Sequence, residues 1–151
     1  MAKFFEIVLF VVFLTPTAHA YAPTWQYLPL PRLLTYEQVT NLVYETADRY
    51  GANKGEMLKT VECESPKLKI DGVIMYDTQG QSNQKYKNGN REESFGLSQI
   101  HLPAHPDITK QQAQDPHWSL DWMANEFAEG RASKWSCYQL LGYKNSSNGS
   151  I

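Results

Sequence analysis

Apolar residues recur at helical spacing in three stretches of the chain. Val39, Leu42, Val43 and Ala47 form the first stripe, behind a Thr35/Gln38 pair that reads as a capping box, with Gly51 as the stop. Met57, Leu58 and Val61 form the second, behind Asn53 and Glu56, which repeat the cap logic. Leu120, Met123, Ala124, Phe127 and Ala128 form the third, behind Asp115-Pro116, an N-cap followed by a proline at the first helical position. Thr109 and Gln112 predict a short helix ending near Gln114, and 132–141 predicts a last helical turn or two holding Trp135, Cys137 and Tyr138. Between the second and third stripes the period changes. Leu68, Ile70, Val73, Ile74 and Met75 around the turn signal Asp71-Gly72 predict a short strand or hairpin near 70–76. The polar run Gln79–Asn90 reads as a mobile loop. The fold class is therefore mainly α (α+β), with four to five helices and a small β-hairpin or loop element.

The ends of the chain have a different character. Lys3, the apolar run Ile7–Leu14 and the small-x-small triplet Ala18-His19-Ala20 have the form of a secretory signal over 1–20. The apolar run is too short for a membrane-spanning helix, which needs about 20 residues, so no stable span is expected after cleavage. Residues 21–34, rich in proline and aromatics, read as an extended arm, with Trp25 a candidate for sugar stacking. A domain over 35–143 and a polar, disordered tail over 144–151 complete the organisation; the tail holds two Asn-Xaa-Ser sequons. A net charge of −2 argues against broad electrostatic capture of nucleic acid. One domain of this size is expected to be a monomer, secreted, periplasmic or associated with the cell wall. Two cysteines, Cys63 and Cys137, in an exported chain suggest one disulfide, which closes a ring of about 75 residues and stabilises it by about 4 kcal/mol. The alternative is a free catalytic thiol.

Candidate chemistry lies in two short stretches. Glu64 falls seven residues after Met57 and three after Val61, on the edge of the apolar face of the second helix, and Pro66 ends that helix just beyond it. Its place at the negative end of the helix dipole suits a general acid. Glu62 lies toward the other flank and is the residue most easily confused with it. About thirty residues on, Ser94-Phe95-Gly96-Leu97-Ser98-Gln99-Ile100 reads as a glycine-bearing loop.

Glu64-Ser65 closing a helix, followed by Gly96-Leu97-Ser98-Gln99-Ile100, resembles the lytic transglycosylase and goose-type lysozyme superfamily. The family's second motif carries methionine where this chain has Ser98. Its Ala-Tyr-Asn motif is not present as written, and Cys137-Tyr138-Gln139 is a loose substitute. The resemblance implies a lysozyme-like fold and cleavage of the β-1,4 bond between N-acetylmuramic acid and N-acetylglucosamine, with peptidoglycan strands as partner and no cofactor or metal. It implies that Glu64 is acid and then base, and that Ser65, Phe95, Gly96, Gln99 and Tyr138 contact or border the glycan. A transglycosylase needs one carboxylate, whereas a hydrolase usually needs a second to place water. Asp71, Asp77, Glu92 and Glu93 lie in the intervening segment, and Glu93, three residues before Gly96, is the favoured candidate.

Three other readings carry less weight. His101, His105, Asp107 and His117 can suggest zinc, but Pro103 and Pro106 break any helix that would align the pair. A Cys-His hydrolase using Cys63 or Cys137 has no local signature. A glycan-binding protein that keeps the fold without activity is the third.

Overall fold

The computed structural model describes residues 30–143. The signal segment 1–20, the arm as far as residue 29 and the tail 144–151 lie outside the described residues. Those described form five α-helices and two small antiparallel sheets: β1 (Leu33–Leu34), α1 (Tyr36–Tyr50), α2 (Lys54–Glu64), β2 (Lys67–Ile70), β3 (Val73–Asp77), β4 (Ser94–Phe95), β5 (Ile100–His101), α3 (Lys110–Gln114), α4 (Pro116–Ala128) and α5 (Ser136–Leu140). Short 3₁₀ turns at Leu102–Ala104 and Ala132–Lys134 lead into α3 and α5. The architecture is mixed α+β with one disulfide.

Local chemistry accounts for the helix starts. The Thr35 hydroxyl accepts from the Gln38 amide while the Gln38 side chain accepts from the Thr35 amide, and Thr109 and Gln112 repeat the exchange at α3. Asn53 and Asp115 accept from Glu56 N and Trp118 N to open α2 and α4. Each such cap contributes about 1 kcal/mol. The core gathers Val39, Val43 and Ala47 of α1, Met57 and Val61 of α2, Leu120, Met123 and Phe127 of α4, and Trp135 and Tyr138 near the chain's end. Fully burying one such aliphatic side chain contributes about 2 kcal/mol, so α1, α2 and α4 are held mainly by this shared face. Phe95, Ile100 and Ala113 make a smaller second core beneath Trp118 and Trp122.

The β region begins earlier than expected. Strand β2 starts directly after Pro66 and pairs with β3 through Asp71-Gly72, both at positive φ (48° and 84°) as a tight two-residue turn requires. Leu33 and Leu34, read from sequence as the end of an arm, pair with Asp77 and Tyr76 of β3 and add a third strand. The sheet order is β1-β3-β2, so the domain starts before Thr35. Arg32 forks onto Asp77 through two bonds of 2.8 Å and pins that edge. The run 79–90 is not free of structure either. Arg91 donates to the carbonyls of Gln81 and Ser82, and a bridge pairs Lys85 with Arg91. Among the described residues no helix is long and apolar enough to cross a membrane.

Candidate active site

The end of α2 sets up the site. Because Pro66 stops the helix, Ser65 takes an extended conformation (ψ 138°) as its C-cap. That turn sends the Ser65 hydroxyl inward, where it donates to the Leu97 carbonyl at 2.7 Å. The two stretches singled out in the sequence are thus joined directly. The Gly96–Gln99 segment is clamped from other sides as well. The Trp135 indole N–H donates to the Ser98 carbonyl at 2.7 Å, and the Ser98 hydroxyl donates to the Ser119 carbonyl at 3.0 Å. Ser98 is fully buried, so a short hydroxyl stands where the resembling family has methionine and spends its polarity on α4. Gly96 sits at φ 76°, and a β-carbon there would lie 1.9 Å from the Ala113 carbonyl oxygen, so no other residue fits.

Glu64 lies beside this segment, half-buried in a cleft of about 830 Å³ that Ser65, Gln99, Glu92, His101 and Trp135 also line. Its Oε1 accepts the Cys137 amide N–H at 2.8 Å and the Ser136 hydroxyl at 3.2 Å. The negative end of α2 and the amide-donor start of α5 therefore meet at this carboxyl. Both of these hydrogen bonds fall on Oε1. The disulfide Cys63–Cys137, with Cα atoms 5.8 Å apart, brackets the same contact, so neither sulfur is free as a nucleophile.

Glu62 serves a different purpose. It pairs with Lys59 at 2.8 Å, and its backbone carbonyl accepts from Lys67. Burial pushes its carboxyl up, but hydrogen bonds from Lys59 and Tyr36 outweigh that and hold it below the usual value. It is not among the residues lining the cleft.

Several residues expected at the glycan stand elsewhere. Phe95 is buried in the second core with Lys110 over its ring, since β4 pairs with β5 and turns that side chain inward. Tyr138 packs edge-on against Phe127 and donates to Glu56, which makes it a core residue. Gly96 is buried and acts through the fold of its loop. Gln99 does border the cleft, but its amide donates to the Gly96 carbonyl at 2.8 Å, so it braces the loop as well. Glu93 is exposed and is not part of the cleft lining. Its neighbour Glu92 lines the cleft instead. Glu92 accepts from the hydroxyls of Ser82 and Ser94 and lies 3.4 Å from His101 Nδ1. Asp71 is exposed at the hairpin turn and Asp77 is engaged by Arg32.

Sequence reasoning passed over Ser136, Trp122, His105 and Lys134 as lining residues. They arrive from segments far from Glu64 in sequence, and the only local signal was the aromatic density near Trp135. Buried Glu126 steers that segment: it receives a fork from Arg131 at 2.7 Å on each oxygen and a further bond from Lys134. Burial pushes its carboxyl up, yet these partners hold it below its ordinary value. Among the described residues no group of three or more His, Cys, Asp or Glu is arranged to hold a metal ion. No protein-family model, curated protein or solved structure matches the chain.

Proposed function

We propose that the protein cleaves the glycan of peptidoglycan as a lytic transglycosylase, with Glu64 as acid and then base at the β-1,4 bond between N-acetylmuramic acid and N-acetylglucosamine. One observation supports this reading above the rest: Glu64 borders the same cleft as Gln99, and the Ser65–Leu97 hydrogen bond of 2.7 Å joins the two segments that carry them. In this mechanism protonated Glu64 gives its proton to the glycosidic oxygen as the C1–O bond breaks. The carboxylate left behind takes the proton of the sugar's own 6-hydroxyl, whose oxygen closes on C1 to form a 1,6-anhydro ring. Ser136 and the Cys137 amide hold the carboxyl through both steps. General acid–base catalysis of this kind contributes about 10²–10⁴-fold.

A second product is favoured by one feature, the presence of Glu92 in the cleft. A second carboxylate can place a water, and water attack gives hydrolysis in the manner of a lysozyme. Mass spectrometry of material released from purified cell wall separates the outcomes. Anhydro-muramyl ends are expected. Reducing ends assign hydrolysis instead, and intact sacculi, bound or unbound, contradict an enzyme altogether.

A further inference from the structure

At His105 and Trp122 the main cleft adjoins another hollow. Those two residues and Ala104 are shared with a second cavity of about 530 Å³. This side chamber lies between the 3₁₀ turn Leu102–Ala104 and helices α3 and α4, and it is lined further by Asp107, Ile108, Gln112 and Trp118. Its size falls in the range of small-ligand sites. We infer that this chamber is a subsite for a distal N-acetylhexosamine unit of the glycan, stacked against the Trp118 indole; the inference rests on the glycan-cleaving reading above.

The chemistry of the lining selects a neutral sugar. Trp118 and Ile108 offer apolar surface for the C–H face of a pyranose, and indole rings combine a broad contact area with little conformational freedom to lose. Asp107, Gln112 and His105 supply donors and acceptors for hydroxyl and acetamido groups. Burial, reinforced by nearby Lys134, holds the His105 imidazole below its ordinary value, so near pH 7 it offers one donor and one acceptor without charge. No lysine or arginine lines this chamber, and Asp107 brings a negative charge. The carboxylates of a wall stem peptide would meet repulsion from Asp107 there. Trp122 is already faced by the His105 ring at 4.9 Å and the Trp135 ring at 5.6 Å, so it stands between the two cavities while Trp118 supplies the platform.

The test uses the full chain carrying Glu64→Gln, so that ligand is not consumed. A hexamer of N-acetylglucosamine is titrated while the indole ¹⁵N–¹H signals and the Kd are followed. The hexamer is expected to move the Trp118 signal, and Trp118→Leu is expected to weaken its binding by about tenfold, the upper end for one aromatic contact. Trp118 also packs on the second core. Asp107→Ala, on an exposed turn outside both cores, supplies an independent variant with an expected loss of a few-fold. Hexamer binding with the Trp118 signal unmoved, or with both variants unchanged in Kd, overturns the subsite and leaves the glycan-cleaving reading standing. A Trp118 signal moved by a free stem peptide but not by the hexamer overturns it too, and gives the chamber to peptide. No hexamer binding at all overturns the subsite and the reading beneath it together.

Discussion

On one side of the cleft the ends of α2 and α5 are joined three times within two residues: by the Cys63–Cys137 disulfide, by the Cys137 amide on Glu64 and by the Ser136 hydroxyl on the same oxygen. On the other side, the wall made by Gln81, Ser82, Glu92 and Ser94 carries no covalent cross-link and is held chiefly by the Arg91 fork and the hydroxyls around Glu92. The comparison teaches where this small domain concentrates its cross-links. The wall bearing the candidate acid is fixed covalently, as the proposed proton donor would require, since displacement by an ångström costs such a group much of its effect. The facing wall is polar and has no such covalent tie.

Breaking the covalent wall should have the largest effect. Replacing Cys63 and Cys137 together by serine is expected to cost about 2–5 kcal/mol of unfolding free energy, read by chemical denaturation under oxidising conditions. An unchanged midpoint would mean that the noncovalent contacts between α2 and α5 suffice. Next is the segment where the two walls meet. Gly96→Ala is expected to cost about 2–4 kcal/mol, since the new methyl overlaps the Ala113 carbonyl and the left-handed backbone is strained. A calorimetric melt of this variant close to the parent's would show that the loop is not clamped as described.

The acid side of the pH profile tests the ion pairs outside the two walls. Hydrogen bonds from Arg32, aided by the Gln79 amide and opposed by burial, hold the Asp77 carboxyl below its ordinary value. A carboxylate depressed in the folded state contributes stability that is present above its unfolded value of about 3.9 and lost as pH falls through the folded one. Glu126, also depressed, acts in the same direction. Melting temperature should therefore fall as pH is lowered from about 5 to 2, and Asp77→Asn should flatten part of that slope. A parallel slope in the variant would remove Asp77 from the account. The smallest effect belongs to Glu62→Gln, which removes an ion pair with partly exposed Lys59 and should leave the proposed glycan cleavage intact.

Much of this arrangement was legible before the fold because it is local. Thr35 with Gln38, Asn53, Thr109 with Gln112 and Asp115-Pro116 announce helices through atoms three residues apart. Asp71-Gly72 announces a hairpin in the same way, and the cysteine pairing followed from there being only two. What was not legible depends on contacts across the chain. Nothing near Leu33 and Leu34 reveals that β3 will pair with them. Phe95 and Tyr138 look like sugar platforms until β4 pairing and the Phe127 contact bury them. Glu92 and Glu93 are indistinguishable until the fold shows which of them reaches the cleft, and the Trp118–His105 chamber is assembled from two segments that share no motif.

Glu62 and Glu64 lie two residues apart on one helix, which makes a paired measurement the most direct test of the central claim. Release of soluble fragments from purified peptidoglycan is compared for the parent, Glu64→Gln and Glu62→Gln, with thermal unfolding recorded on each. The amide at position 64 can still accept from Cys137 and Ser136, so its melting temperature should stay within a few degrees of the parent while activity falls by at least about 10²-fold. Glu62→Gln should retain activity. Equal activity in the parent and Glu64→Gln, or loss only in Glu62→Gln, would contradict the account.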